Sequence, residues 1–118
     1  MKESAEARME RQARERWQFI DVLRRAGNEV EEEFKFHPDR RWRCDLYLPE
    51  HRIVVEIEGM GGRHQTMVGF KNDAEKYAEL FAMKYDLLRV LRPWVADGTA
   101  LDLLARRGVE VEATHGPA

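Results

Sequence analysis

The stretch Arg41–Gly59, RWRCDLYLPEHRIVVEIEG, constrains the fold more than any other part of the chain. Residues 42–48 alternate, with Trp42, Cys44, Leu46 and Leu48 on one side and Arg43, Asp45 and Tyr47 on the other. Residues 53–58 alternate as well: Ile53, Val55 and Ile57 against Val54, Glu56 and Glu58. A period of two over a run of this length is the pattern of a half-buried strand. Pro49-Glu50-His51-Arg52 lies between the runs and supplies a turn, since proline cannot continue a ladder. A four-residue loop over 49–52 sets Leu48 against Ile53, and counting back sets Asp45 against Glu56. Glu58 projects from the same face, so three carboxylates converge on one patch of sheet. Like charges facing each other across paired strands repel, and a divalent cation is an economical remedy. The plain alternative is a solvated acidic face. The β-branched company of Ile53, Val54, Val55 and Ile57, with Gly59 behind it, suits the middle of a sheet better than its edge.

At 118 residues the expectation is a single domain with a modest core, its ends (1–3 and 114–118) frayed. With 43% hydrophobic and 36% charged residues, the composition is that of a globular, highly charged protein rather than a disordered one. No apolar run approaches the ~18 residues of a membrane span. No charged-then-apolar signal segment opens the sequence, so a cytoplasmic setting and no membrane partner are expected. The lone Cys44 excludes a disulfide framework and a cysteine-based metal site. A net charge of −2 argues against a polycationic nucleic-acid coat but leaves room for local basic patches.

In chain order, residues 4–26 read as a helix with Ser4 as N-cap, Ala26-Gly27-Asn28 as its stop, and Phe19, Ile20, Val22, Leu23 and Ala26 as its apolar face. Glu15 lies on the same stripe as Phe19 and Leu23. Residues 29–36 alternate as a first strand, with Glu32 and Glu33 on opposite faces, so only one of them can approach Asp45; an acidic edge is the simpler reading. The glycine-rich stretch 60–69 carries Arg63, His64 and Gln65, donors suited to a phosphate backbone, and has no Walker A spacing. Residues 70–85 form a second helix whose core face is Phe70, Ala74, Tyr77, Ala78, Phe81 and Tyr85. Lys71 lies near the edge of that face. Lys76 lies nearly opposite it, an outward position fit for a phosphate contact or a structural ion pair. A short strand over 87–92 stops at Pro93, a helix follows over about 100–107, and 109–111 reads as a last strand. The sum is an α/β domain: a mixed β-sheet with a central antiparallel hairpin, flanked by helices.

The acids are spaced D-(x)10-E-x-E. They sit within E-F-K-F-H-P-D-R-R-W-R-C-D-L-Y-L-P-E-H-R-I-V-V-E-I-E-G, followed by G-R-H and D-A-E-K-Y. Over about residues 15–92 this resembles the PD-(D/E)xK (restriction-endonuclease-like) nuclease superfamily, in particular small phage and bacterial endonuclease-like proteins near the Holliday-junction resolvase and VRR-NUC branches. The resemblance implies a restriction-endonuclease-like core and Mg²⁺- or Mn²⁺-dependent hydrolysis of DNA. Asp45 and Glu56 would hold the metal, with the Ile57 carbonyl as a third ligand. Glu58 would orient or deprotonate water or bind a second metal. By the same resemblance Glu15 is an extra acid from the first helix, Glu33 the glutamate of an E-x-x-F stretch, and His64 a working residue. Arg41, Arg43, Arg63, His64, Gln65, Lys71 and Lys76 are the implied DNA contacts. The lysine usual two residues after the second acid is Glu58 here. That departure leaves open which group activates the nucleophile, and makes a catalytically lapsed DNA-binding module the alternative. A homodimer is expected on DNA, with Trp17 and Trp94 as candidate interface residues.

Overall fold

A computed structural model of the chain describes residues 2–59 and 66–112. The chain divides into two compact units: Val30–Leu91, and a second built from the segments Met1–Glu29 and Arg92–Ala118.

The first unit holds a four-stranded mixed sheet in the order β1 (Glu31–Phe34), β2 (Cys44–Leu48), β3 (Ile53–Glu58), β4 (Asp86–Leu91). β1, β2 and β3 form an antiparallel meander, and β4 runs parallel to β3. The hairpin has the register expected of its loop, with Leu48 facing Ile53, Tyr47 facing Val54 and Leu46 facing Val55. Two overlapping turns close it: the His51 N–H donates to the Leu48 carbonyl and the Arg52 N–H to that of Pro49. Arg52 takes φ 53° there, and its guanidinium donates to the Met83 and Lys84 carbonyls while lying 4.3 Å over the Tyr85 ring. The turn is thereby tied to the end of helix α2, Met67–Ala82, and to the start of β4. Thr66 caps that helix, its hydroxyl accepting from the Gly69 N–H. Both faces of the hairpin's turn end are covered, as suits the middle of a sheet: Tyr47 and Val54 are buried along with Leu46, Leu48, Ile53 and Val55. Tyr47 and Val54 belong to a cluster with Phe36, Cys44 and Leu80, and Phe34 stacks on Tyr47 at 4.0 Å.

The helix Met67–Ala82 corrects the expected face. Phe70 and Phe81 are 66% and 84% exposed, Ala74 and Ala78 are exposed too, and the helix buries Lys76 and Leu80 instead. The first strand is also shorter than expected, Glu31–Phe34 instead of 29–36, and within it Glu33 adopts φ 51°.

The second unit is helical. Helix α1, Ala5–Arg25, is capped by Ser4, whose hydroxyl accepts from the Ala7 N–H, and buries Phe19, Ile20 and Leu23. Its end is a Schellman arrangement: Gly27, at φ 101°, donates to the Arg24 carbonyl, and Asn28 donates to that of Leu23. The Asn28 side-chain amide donates to the carbonyls of Leu23 (2.9 Å) and Glu110 (2.7 Å), which fastens the two segments together. Pro93 does not simply end a strand. It sits in the first turn of a short helix α3, Arg92–Asp97, where its missing N–H costs nothing. Helix α4, Thr99–Arg106, follows, and no strand occurs at 109–111. Trp17 is 64% exposed and Trp94 is half-buried.

Candidate active-site cleft

The hairpin changes character where its acids begin. Past Leu46 and Val55 the strands are joined by side chains. The Asp45 N–H donates to Glu56 Oε1 at 3.0 Å, and the Ile57 N–H donates to Asp45 Oδ2 at 2.7 Å. Each carboxylate therefore crosses to the other strand and satisfies a backbone donor there. Asp45 and Glu56 are opposite each other, as the loop length requires. Their face is the one covered by the helix Met67–Ala82, and the Glu56 side chain is only 13% exposed, which removes the reading as a solvated acidic face.

What enters this face from the helix is Lys76. Its Nζ lies 2.9 Å from Glu56 Oε2 and donates to the Arg43 carbonyl at 2.5 Å. The outward position expected for Lys76 is thus overturned: of the phosphate contact and the ion pair weighed for it, the structure shows an ion pair, and with an acid of the candidate site. A lysine survives burial when an anion and an acceptor receive its protons. Burial nevertheless pushes the Glu56 carboxyl above its ordinary pKa; Lys76 opposes this and the neighbouring Asp45 adds to it. Burial also pushes the Cys44 thiol up to about 12, with Lys76 opposing and Glu56 and Asp45 adding. Cys44 is therefore an inert core residue rather than a nucleophile.

Glu58 is held separately. Its Oε1 accepts from the Tyr77 hydroxyl at 3.1 Å and from Arg89 Nε at 3.0 Å, and the Arg89 guanidinium lies 4.8 Å over the Tyr77 ring. Burial pushes the Tyr77 hydroxyl well above the ordinary tyrosine value, so it remains a donor.

These groups line an open cleft of about 450 Å³ bounded by Glu33, Arg41, Trp42, Arg43, Asp45, Glu56, Ile57, Glu58, Asn72, Asp73 and Lys76. The loop between β1 and β2 builds one wall and is pinned to the helix Met67–Ala82 at three points. His37 Nδ1 accepts from the Asp39 and Arg40 N–H groups, and its Nε2 meets Glu79 Oε1 at 3.1 Å. Arg40 pairs with Glu75, and Trp42 Nε1 donates to Asn72. Arg40 also lies 3.9 Å over the Trp42 ring. That bracing positions Arg41 and Arg43. Of the two acids weighed on β1, Glu33 lines the cleft and Glu32 faces Leu46 in the ladder. The positive φ of Glu33 is the kind of local strain that gathers at working sites.

The other expected residues are placed as follows. Arg63, His64 and Gln65 lie outside the described residues. Lys71 is exposed on the helix and does not line the cleft. Glu15 belongs to the helical unit and pairs with Arg11 at 2.6 Å. Asp73, Asn72 and Trp42 were not singled out from the sequence. The spacing of Asn72, Asp73 and Lys76 along one helical face was the available signal.

The donors present fit a hard divalent ion. Among the described residues no three carboxylate, imidazole or thiol side chains are arranged to hold a metal by themselves. A site here would consist of two carboxylates, a backbone carbonyl and water, which is the sparse, water-rich shell of Mg²⁺ rather than a caged ion. Burial disfavours the ionised form of Glu56, and Lys76 opposes this only in part. No family model, no curated protein and no solved structure matches this chain. No helix among the described residues is long and apolar enough to cross a membrane.

Proposed function

We propose that this chain is a divalent-metal-dependent endonuclease that hydrolyses phosphodiester bonds in DNA. The observation that carries the reading is the meeting of Asp45, Glu56 and Lys76 in one open cleft, with Lys76 Nζ 2.9 Å from Glu56 Oε2. Paired acids with a lysine beside them are what the PD-(D/E)xK resemblance calls for; here the lysine comes from the helix, in place of position 58. The order α-β-β-β-α-β, with an antiparallel hairpin and a parallel fourth strand, supports a restriction-endonuclease-like core.

Asp45 and Glu56 would hold Mg²⁺ or Mn²⁺ together with the Ile57 carbonyl. Such an ion supplies Lewis acidity at the phosphoryl oxygen and a lowered pKa for water. Lys76 favours the ionised form of Glu56 against its burial and stands ready to offset charge growing on the phosphate. Arg41 and Arg43 on the cleft wall contact neighbouring phosphates, which position a strand without reading its sequence. Glu33 and Glu58 complete the acidic lining, Glu58 oriented by Tyr77 and Arg89. DNA is the proposed partner, in the cytoplasm, with a second copy of the chain bringing a second cleft to the opposing strand.

One observation favours a binding module without cleavage. Lys76 and Arg89 already pair with Glu56 and Glu58. A plasmid-nicking assay with Mg²⁺ and Mn²⁺ titrations separates the two readings. Nicking that appears with metal and vanishes in excess EDTA is the expected result. DNA retention with no nicking at any metal concentration leaves the binding module, and activity that persists in EDTA sinks the metal mechanism.

A further inference from the structure

The helix Met67–Ala82 is amphipathic in an unusual sense. It turns a lysine inward and its largest apolar side chains outward. Met67, Phe70 and Phe81 are 83%, 66% and 84% exposed, and Ala74 and Ala78, also exposed, lie between the two phenylalanines on the same stripe. A whole aromatic side chain buries roughly 150–250 Å². The two phenylalanines alone therefore leave a few hundred Å² of apolar surface in water, about what the largest patch of a soluble monomer amounts to, before Met67 and Val68 are added.

We infer that this stripe is the contact between two copies of the chain, made by two such helices packed antiparallel about a two-fold axis. The pattern on the helix is what selects a second copy over another partner. Phe70, Ala74, Ala78 and Phe81 run large, small, small, large, so the stripe reads nearly the same from either end. A two-fold interface demands that self-complementarity, because residue i must meet j while j meets i. Antiparallel pairing centred between Ala74 and Ala78 sets alanine on alanine, where the helices approach closely, and Phe70 on Phe81 at both ends. Lys71, exposed beside the stripe, stands at the edge of that contact. A standard interface takes about 800 Å² from each partner. The stripe supplies its apolar centre and Lys71 part of its rim. This contact lies on the opposite face of the helix from Lys76 and stands whether or not the cleft cuts DNA; Trp17 and Trp94 take no part in it.

Sedimentation or light scattering of the full chain across about 1–100 µM tests the inference. The wild type is expected at twice the chain mass, and Phe81→Lys and Phe70→Glu each at once the chain mass with unchanged circular dichroism, both positions being exposed. Combining the two substitutions sets opposite charges across the antiparallel contact, and part of the dimer should return. A wild type that stays at single mass throughout overturns the inference, as does a dimer that survives Phe81→Lys. Loss of the dimer in Trp17→Ala with its retention in Phe81→Lys assigns the interface elsewhere and overturns it too. A double variant no more dimeric than either single one removes the antiparallel pairing.

Discussion

The two ends of one hairpin behave as opposites. At the turn end, Leu48 faces Ile53 and Tyr47 faces Val54, all buried, in a regular ladder. At the other end, one residue past the pair Leu46 and Val55, side-chain carboxylates replace the ladder and an ammonium is drawn in against them. The dry end has only packing to lose and sets the register. The acidic end is held in place by that register at an electrostatic cost. The same strands thus separate two tasks: one end supplies stability, and the other spends part of it on holding like charges together.

The sharpest break in this contrast is functional. Asp45→Ala and Glu56→Ala should each reduce metal-dependent nicking to the level of EDTA-treated wild type while the far-UV circular dichroism is kept. A folded variant with wild-type nicking would end the metal-ligand assignment. At the dry end, Leu48→Ala should cost about 2–5 kcal/mol in urea unfolding, the usual range for an emptied core position. Its metal-induced stabilisation should match that of wild type, since no ligand is touched.

Lys76→Met keeps the bulk of the side chain and removes the charge, leaving the Glu56 carboxylate buried beside Asp45. We expect a loss of about 2–4 kcal/mol without metal, somewhat below the range for breaking a fully buried pair. Mg²⁺ should then stabilise the variant more than wild type, because one cation takes over for the other. An equal metal response in the two proteins would count against a shared place for ion and ammonium.

The smallest effect has the opposite sign. The Glu56 carboxyl sits above its ordinary pKa, so the folded state binds this proton more tightly than the unfolded chain does. Stability from this group is therefore full below the unfolded value near about 4.3 and is lost as pH rises through the folded value. Asp45→Asn removes a neighbour that raises this pKa. Above that window the metal-free variant should melt roughly 2–5 °C higher than wild type, an effect of about 0.5–1 kcal/mol. The two melting curves should converge at acid pH, and metal should raise the variant less. Parallel curves at every pH would show that Asp45 and Glu56 do not repel.

Much of this contrast was legible in the sequence. The loop length and alternation set Leu48 on Ile53 and Asp45 opposite Glu56, and local chemistry marked Ser4 and Gly27 as helix ends. The face of the helix Met67–Ala82 was not legible. Periodicity shows where apolar residues gather on a helix, but not which side meets the sheet. Here the buried side carries Lys76, whose counter-charge, Glu56, lies on a strand 20 positions away. The bend at Glu33 was hidden as well, since glutamate at positive φ has no sequence mark of the kind glycine gives. Pro93 misled in another way. A residue that cannot continue a ladder is equally one that can begin a helix.

The pair of hydrogen bonds donated by the Asn28 amide has a consequence for the order in which the chain matures on the ribosome. Asn28 and Glu110, which it joins, are 82 positions apart, so one is made well after the other. Synthesis at about 5–20 residues per second delivers all of 30–91 seconds before Glu110 emerges. The sheet unit has every strand it needs by then, while the long first helix waits, its Phe19, Ile20 and Leu23 without the late helices of their own unit. The helical half can therefore close only after its late segment is made, and until then that early apolar stripe is the segment a chaperone would meet.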